Sequence, residues 1–255
     1  MSLAQRLRGG ERAFGCMIRL TRSPAITAIA REAGLDYVMV DLEHGAYSLE
    51  TVADMALAAK AAGLGFMARA PEVTRHWISG LLDLGVEGIM VPMLETPAQA
   101  RQLVAWAKYP PLGGRGLSTT GGHTCYRKPP AVPEFMAAMN RDVLTIAQIE
   151  TATAIENAAA IAAVDGLDAL LIGPNDLAVS LGHPGELQTP DEDAAIAQVA
   201  AATQAAGKVF GIHASADFLA RWREHGLRLV MNGIDASLLA SALERVNRDS
   251  RKLFA

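Results

Sequence analysis

Two carboxylates near the middle of the chain each follow a short apolar run. Glu150 comes directly after Leu144–Ile149, and Asp176 follows shortly after Ala169–Ile172. A helical run over Thr151–Ala163 separates the two apolar runs, which is typical of a strand–helix–strand unit. Parallel strands joined by a crossover helix end at the same edge of a sheet, so the two acids are expected to lie close together. Such a pair could bind a divalent cation or act as a general acid and base.

Other polar side chains follow predicted strands at the same edge. Asp41 and His44 follow the second predicted strand, and Arg69 lies at the end of the third. Because side chains alternate along a strand, Gln148 shares a face with Glu150. His44, oriented by Asp41, could move a proton, and Arg69 could stabilise negative charge that develops on an oxygen. Structural roles also fit, since Asp41 could cap the next turn and Arg69 could pair with a buried carboxylate.

Five further polar residues are weaker candidates for a role in catalysis or binding. Arg19 follows the first predicted strand and could hold an additional substrate carboxylate. His213 ends the seventh strand and is expected to be structural or peripheral, and Asp235 is expected to cap the last helix. Arg115 and His123 lie in a long loop, and their side chains could equally contact the substrate or simply be solvated.

The acids favour chemistry that uses a hard cation. Carboxylate oxygens are the ligands that Mg2+ and Mn2+ prefer, and two of them leave positions open for an α-keto acid. The bound metal would act as a Lewis acid and stabilise an enolate. The competing route to an enolate is a Schiff-base lysine, which needs an amine at the end of a strand. No lysine lies at the carboxyl end of a predicted strand, so imine chemistry is rejected. The lysines are Lys60, Lys108, Lys128, Lys208 and Lys252.

These residues need a scaffold that brings the ends of several strands together. Eight apolar runs alternate with helical runs, and the length of 255 residues is close to the ~250 typical of a (β/α)8 barrel. The sequence therefore predicts an α/β (β/α)8 TIM barrel as a single domain over 1–255, with a Gly- and Pro-rich loop insertion at about 109–133. The predicted strands are Phe14–Leu20, Tyr37–Asp41, Gly65–Ala70, Gly88–Met93, Leu144–Ile149, Ala169–Ile172, Val209–His213 and Leu227–Asn232.

The composition argues against several classes of partner. A net charge of -4 and an aromatic content of 5% predict neither nucleic acid nor an anionic membrane surface as a partner. The N-terminal stretch lacks the apolar core of a signal peptide, and no apolar run is long enough to span a bilayer. Two cysteines do not suggest a disulfide framework, so a cytoplasmic protein is expected.

Five motifs, in order along nearly the whole chain, resemble those of the HpcH/HpaI aldolase family. The motifs are VDLEHG at Val40–Gly45, VPMLET at Val91–Thr96, YPPLGGRG at Tyr109–Gly116, QIET at Gln148–Thr151 and GPNDLAVSLG at Gly173–Gly182. The QIET and GPxDL pair is the most specific part of the match. The resemblance implies a metal-dependent class II pyruvate aldolase on a (β/α)8 barrel.

The resemblance also implies a role for each candidate residue. It makes Glu150 and Asp176 the metal ligands. It makes His44, supported by Asp41, the acid/base, and it places Arg69 on the keto or enolate oxygen.

Further contacts are implied for the substrate. Gln148 would lie in the pocket, and backbone groups around Gly173, Pro174 and Asn175 would hold the pyruvate carboxylate. The implied cofactor is a divalent metal, Mg2+ or Mn2+, with Co2+ as a further candidate. Family members are commonly hexamers whose last helix packs on a neighbouring subunit, so a homo-oligomer is expected.

The expected reaction is cleavage or formation of a 4-hydroxy-2-oxo acid, giving pyruvate or a related 2-oxo acid plus an aldehyde. Departures from the family pattern at Met17, Arg19, Asn175 and Gly121–Tyr126 affect the pocket rather than the metal site. They leave open a transferase that condenses oxaloacetate with acetyl-CoA to citrate, in which Arg19 would hold a carboxylate. A catalytically silent barrel is the third hypothesis, but it leaves the acid, base and arginine set unexplained.

Overall fold

The computed structural model describes residues 1–129 and 131–254, which form a closed barrel of eight parallel strands. Each strand pairs with the next along the chain, and β8 closes the barrel by pairing with β1. The predicted (β/α)8 fold is therefore confirmed. The strands are β1 (Ala13–Ile18), β2 (Tyr37–Asp41), β3 (Gly65–Arg69), β4 (Gly88–Val91), β5 (Leu144–Ile149), β6 (Ala169–Ile172), β7 (Val209–His213) and β8 (Leu227–Ile234).

Within the described residues, twelve α-helices surround or close the barrel. They are α1 (Leu3–Arg8), α2 (Ala25–Glu32), α3 (Leu49–Ala62), α4 (Arg75–Asp83), α5 (Pro97–Ala107), α6 (Val132–Asp142), α7 (Ala152–Glu156), α8 (Ala158–Ala162), α9 (Pro174–Ser180), α10 (Pro190–Ala205), α11 (Ala216–Trp222) and α12 (Asp235–Lys252). Among these residues, none of the helices combines the length and the apolar character that crossing a membrane requires.

Alternation along the strands decides which side chains reach the interior. Met39 of β2, Met67 of β3 and Ile146 of β5 belong to the cluster inside the barrel, whereas Val38 and Val40 pack outward against the helices. Residues two positions after these interior side chains keep the same orientation. Asp41, Arg69 and Gln148 therefore also point into the barrel, at its carboxyl end and above its apolar interior.

The opposite end of the barrel is closed by α1. Ser2 caps this helix, and its Leu3 and Leu7 are buried in the interior cluster. A buried ion network lies beside it, in which Arg8 and Lys108 both contact the carboxylate of Asp168. The helix α1 therefore covers this end of the barrel interior.

Several helices begin and end at residue types that are typical of helix caps. Ser48 caps α3 by accepting a hydrogen bond from Thr51 N, and Gly63 ends the helix in the left-handed conformation. Thr96 and Gln99 form a capping box at α5. Such caps satisfy the free N–H and C=O groups of each terminus, which fixes where the following strand begins.

Three helical regions differ from the sequence-based expectation. The six-residue α1 was not predicted, and α9 begins at Pro174, where only a break was expected. The single helix predicted over Thr151–Ala163 is two helices, because the chain breaks at Asn157, whose side chain donates to Glu95 O at 2.9 Å.

The Gly- and Pro-rich insertion lies where the sequence predicts it, between α5 and α6. Its predicted range, 109–133, includes Pro130, which lies outside the described residues. Arg115 within it forms an ion pair with Asp83, at 2.5 Å. Both ring nitrogens of buried His123 lie near main-chain carbonyl oxygens, those of Asp83 and Ser118. These contacts fix the loop against α4, so Arg115 and His123 are buried rather than solvated as one of the two alternatives expected.

Candidate active site

A cavity of about 210 Å3 opens at the carboxyl ends of the strands. It collects eight of the ten residues that the sequence nominated, together with His213 and Ile234. The nominated residues that line it are Arg19, His44, Arg69, Gln148, Gly173, Pro174, Asn175 and Asp176. The other two, Asp41 and Glu150, are buried directly behind this lining.

A larger cavity, of about 780 Å3, lies at the other end of the barrel beside Lys108 and Asp168. It contains none of the nominated residues, and most of its lining residues belong to the long insertion and to α6. By size alone the larger cavity would be the better candidate for the active site. The smaller cavity is preferred because carboxylates and arginines converge there.

Arg69 is the positive centre of the site. Its Nε and Nη2 donate to the two oxygens of Asp41 at 2.9 and 2.6 Å, and its Nη1 lies 2.9 Å from Glu43 Oε2. Burial opposes the charge of this side chain, but the hydrogen bonds and charge of Asp41 more than offset it and raise the pKa of Arg69. Nη1 also faces Gln148 Oε1 at 3.5 Å.

Asp41 holds the arginines and the following turn. Burial would raise the pKa of Asp41, but hydrogen bonds from Arg69 lower it below its ordinary value, with further help from the charge of Arg19. Oδ2 also accepts from Arg19 Nε at 2.8 Å, and Oδ1 accepts from the main-chain N–H groups of Glu43 and His44. The carboxylate thus contacts the backbone of His44, whereas the sequence suggested that it orients the imidazole.

The His44 ring lies at the open edge of the cavity. Its side chain is 52% exposed, and Nε2 lies 3.7 Å from Glu43 Oε2. Glu43 thereby links His44 to Arg69. The exposed ring can exchange protons with water and with a ligand in the cavity.

Glu150 is 2% exposed and lies between polar neighbours. Oε1 accepts from Met93 N at 2.8 Å, and Oε2 accepts from Gln148 Nε2. Burial raises the pKa of Glu150 to about 7, and the negative charges of Asp176 and Glu43 act in the same direction. The ionised form is therefore held in an environment that disfavours it, which is the situation that a bound cation would relieve.

Gly173 leaves just enough space for the Glu150 carboxylate. A Cβ atom at this position would overlap Glu150 Oε2 and Gln148 Nε2, although the backbone φ of -103° suits any residue. A glycine is therefore required here by close approach rather than by backbone conformation.

The residues after Gly173 present main-chain donors to the cavity. Gly173 N already donates to Ile149 O at 3.3 Å, and Pro174 has no N–H. Asn175 and Asp176 occupy the first turn of α9, where no described side chain caps the helix. Their N–H groups have no partner within the helix, so they can bind a ligand oxygen.

The charges around the cavity do not balance among the described residues. Four carboxylates, those of Asp41, Glu43, Glu150 and Asp176, lie with two guanidinium groups, those of Arg19 and Arg69. With all six groups ionised, the acids exceed the arginines by two charges. The described residues contain no group of three or more His, Cys, Asp and Glu side chains that could hold a metal ion. The charge excess of the four carboxylates nevertheless suits a divalent cation that keeps other positions for water or substrate.

Three contributors to the site are not among the ten nominated residues. His213 lines the cavity, although it was expected to be structural or peripheral. Met93 has a φ of 50° that aims its N–H at Glu150, and no sequence signal marks this conformation. Asp235 accepts hydrogen bonds from the N–H groups of Arg19 and Thr21 at 2.8 and 2.7 Å, so it positions the β1 loop besides starting α12.

The described lysines give no support to imine chemistry. Lys108 is buried, and burial lowers its pKa, as it would for a Schiff-base amine. Its Nζ nevertheless donates to Asn140 O and Val143 O, at 3.0 and 2.6 Å, at the amino-terminal end of the barrel. The opposite end, which holds Arg69 and Glu150, is where an enolate would form.

Comparisons with known proteins identify relatives along almost the whole chain. A family model described as HpcH/HpaI aldolase/citrate lyase matches residues 17–242. The hydroxypyruvate/pyruvate aldolase of Chromohalobacter salexigens is 36% identical over 241 residues, which cover 94% of each chain.

Two solved structures are similar along almost the whole chain. The HpcH/HpaI aldolase of Desulfitobacterium hafniense DCB-2 has a TM-score of 0.94 at 33% identity, covering 98% of this chain and 97% of that one. The citrate synthase SbnG has a TM-score of 0.89 at 26% identity, covering 98% of each chain.

The higher identity to aldolases supports a carbon–carbon lyase over the citrate-forming alternative. The match to the family model spans the end of β1, the strands β2 to β8 and every residue that lines the cavity. The chain belongs to the HpcH/HpaI aldolase/citrate lyase family.

Proposed function

We propose that this protein is a class II aldolase that cleaves or forms 4-hydroxy-2-oxo acids, with pyruvate or a related 2-oxo acid as one product. The observation that carries the proposal is that Arg69 and Asp176 line one cavity with Glu150 buried behind it, where the charge of Asp176 helps to raise the pKa of Glu150. A curated relative named hydroxypyruvate/pyruvate aldolase supports the same substrate class.

Glu150 and Asp176 would hold a divalent metal, Mg2+ or Mn2+ with Co2+ as a further candidate. When bound, the metal would supply Lewis-acid withdrawal of charge from the keto oxygen of the substrate. The charge excess of the acids and the raised pKa of Glu150 support this assignment.

Arg69 would bind the keto oxygen and favour the negative charge that it gains in the enolate. Its guanidinium is already fixed by Asp41, so little reorganisation is needed when charge develops. The free N–H groups of Asn175 and Asp176 would hold the substrate carboxylate, with Gln148 at the side of the pocket.

His44 would move the proton. In cleavage it would take the proton from the 4-hydroxyl group, directly or through water, and later deliver a proton to the methylene carbon of the enolate. Its exposed position at the cavity edge supports this role, and contact with Glu43 supports its orientation.

Retro-aldol cleavage with and without EDTA tests the proposal. We expect activity to be lost on chelation, to return with Mg2+ or Mn2+, and to be absent from a Glu150→Gln variant at any metal concentration. Activity that survives thorough chelation would contradict the metal role. Release of CoA from acetyl-CoA and oxaloacetate, without retro-aldol activity, would favour the citrate-forming reaction instead.

We also propose that the protein is a homo-oligomer, and by family resemblance a hexamer. Four apolar side chains of α12 are more than half exposed: Leu238, Leu239, Leu243 and Val246. An apolar stripe of this kind on an 18-residue helix is typical of a subunit contact. Light scattering coupled to gel filtration would measure the mass, and Leu243→Glu should reduce it.

A single domain over 1–255 and a cytoplasmic location remain predictions.

A further inference from the structure

The larger cavity, of about 780 Å3, lies at the amino-terminal end of the barrel, between the long insertion and α6. Pockets that enclose a small organic ligand have volumes of roughly 300–1,000 Å3. This cavity shares no lining residue with the candidate active site. An occupant of it would therefore be a different molecule from the one that contacts Arg69 and Asp176.

The polar side of this cavity carries more basic than acidic groups. Arg8, Lys108 and Arg141 line it, and Asp168 is the one acid among its described lining residues. Asp168 already contacts both Arg8 and Lys108 and accepts from Thr145 N at 2.9 Å. Burial lowers the pKa of Lys108, and the charge of Arg8 acts in the same direction, against the effect of Asp168. With all four lining groups ionised, the cations exceed the acid by two charges, which a bound anion would offset.

Arg8 has one donor left for a ligand, whereas Lys108 has none. The three N–H groups of Lys108 point to two main-chain carbonyl oxygens and the Asp168 carboxylate. Nε and Nη2 of Arg8 donate to Asp168 Oδ1 at 2.9 and 2.7 Å, and Nη2 also donates to Val143 O at 3.2 Å. Nη1 donates to Arg141 O. An arginine has five N–H groups, so one hydrogen on Nη1 lacks a described partner.

Arg141 lies next to this donor. It is exposed in the last turn of α6, and its side chain makes no hydrogen bond or ion pair with another described residue. The contact of Arg8 with its carbonyl oxygen holds the guanidinium of Arg8 against the backbone of Arg141. A carboxylate has two acceptor oxygens, so it can bind two neighbouring arginines at once.

The rest of the cavity is apolar and partly open to solvent. Leu112 is 50% exposed, although it lies in a compact domain. Covering such side chains with an apolar ligand removes their surface from water, which favours binding. The exposed helix α12 of a second copy is a poor occupant, because its four basic residues exceed its three acids and the cavity is already positive. The apolar lining residues are Pro110, Pro111, Leu112, Pro133, Met136 and Ala137.

We propose that this cavity is a second binding site, for a small organic anion that joins a carboxylate to an apolar body. Arg8 and Arg141 bind the carboxylate, and the apolar lining covers the body. The charge of Lys108 adds to the attraction without a direct contact. This site is independent of the proposed aldolase function, because no residue belongs to both cavities.

Displacement of a fluorescent probe tests the proposal on the full chain. The probe is anilinonaphthalene sulfonate, an apolar anion whose emission rises when it leaves water. The competitors are naphthoate and its uncharged amide, naphthamide, which have the same apolar body. We expect naphthoate to displace the probe with a dissociation constant at least about tenfold lower than that of naphthamide, the effect of one hydrogen bond to a charged group.

Two variants separate the carboxylate contact from the apolar contact. Arg141→Glu should raise the dissociation constant of naphthoate at least about tenfold and leave that of naphthamide nearly unchanged. Met136→Glu places a charge against the apolar body and should weaken both ligands. Arg223→Glu is the matched control, because it makes the same change in net charge at an arginine that follows α11 and is 72% exposed.

Wild-type protein that binds neither ligand, or both equally, would overturn the inference, as would unchanged naphthoate affinity in Arg141→Glu. An equal loss in Arg223→Glu would overturn it because net charge alone would then explain the binding. A smaller oligomer in Arg141→Glu or Met136→Glu would also overturn it, since a second copy of the chain would then cover the cavity. Retro-aldol activity is a separate measurement, and its absence would contradict the proposed function alone.

Discussion

The two oxygens of Asp41 accept hydrogen bonds from Nε and Nη2 of Arg69, at 2.9 and 2.6 Å, in an ion pair behind the cavity. Asp41 is 0% exposed and Arg69 is 4% exposed, so water does not screen the pair. The two parallel hydrogen bonds fix the plane of the guanidinium group. They leave Nη1 directed toward Glu43 and Gln148.

Breaking this ion pair should cost stability and activity together. Asp41→Asn leaves the charge of Arg69 buried with one fewer carboxylate, and we expect a loss of about 3 kcal/mol in the free energy of unfolding, measured with urea. Arg69→Lys keeps the charge but cannot form the two-point contact, so kcat should fall at least 100-fold. Asp249→Asn is the control, because its ion pair with Arg248 is 61% exposed and should contribute under about 1 kcal/mol. A wild-type kcat in Arg69→Lys would contradict the role given to the guanidinium fork.

Gly173→Ala should weaken metal binding while preserving the fold. The added methyl group would displace the Glu150 carboxylate and the Gln148 amide, which have no other space at this point. We expect the affinity for Mn2+, measured by calorimetry, to fall at least tenfold. Gly80→Ala, in α4, is the control because a Cβ there meets no atom within 4 Å. Equal Mn2+ affinities in the two variants would show that Glu150 does not approach the metal as proposed.

The neutral state of His213 should make stability depend on pH in the acid range. Its pKa is about 4 in the folded protein against an ordinary value of 6.5, so the unfolded chain binds the proton more tightly. Above about pH 6.5 the ring is neutral in both states and does not reduce the free energy of unfolding. As the pH falls toward 4, that free energy decreases by up to about 3 kcal/mol because the unfolded chain takes up the proton first. The neighbouring charges are those of Arg69 and Arg19, which oppose protonation, and Asp41, which favours it.

His213→Asn removes this titration, so its stability should fall less than that of the wild type between pH 7 and pH 4.5. Urea unfolding at the two pH values, in EDTA, measures the difference. Identical losses in the two proteins would mean that the ring is protonated in the folded state at no cost.

Lys108→Met should destabilise the protein without removing its chemistry. The substitution leaves Asn140 O without its side-chain donor and removes one donor each from Val143 O and the Asp168 carboxylate, which keep their contacts with Arg8, and we expect a cost of about 3 kcal/mol. The folded variant should keep its kcat, and borohydride with pyruvate should add no mass to the wild type. Lys128→Met is the control, because Lys128 is exposed in the long loop. Trapping of an imine on Lys108 would contradict the metal-dependent scheme.

The sequence predicts those parts of the fold that depend on short-range patterns. The strands β2, β5, β6 and β7 have the predicted bounds, because each is an apolar run that ends at a polar residue or a glycine. The same alternation places Gln148 and Arg69 toward the cavity. The helix α1 was missed because six residues carry little periodicity, and its position depends on packing Leu3 and Leu7 into a barrel formed later in the chain.

Partners of individual side chains were harder to predict. Asp41 was assigned to the His44 ring from proximity in sequence, yet Arg69 and Arg19 reach its carboxylate from neighbouring strands. His213 was expected to be structural or peripheral, because one histidine at a strand end has no pattern that shows what faces it. Only the closed barrel brings β7 and β1 to the same wall.

Closure of one end of the barrel by α1 has a kinetic consequence. Glu150 is buried behind the lining of the cavity at the carboxyl ends of the strands, which includes Asp176 and His44. A cation that reaches Glu150 must therefore enter before the keto acid, which then blocks its exit. Initial-rate kinetics should show an ordered addition of metal and substrate, and saturating pyruvate should slow the release of the metal to a chelator.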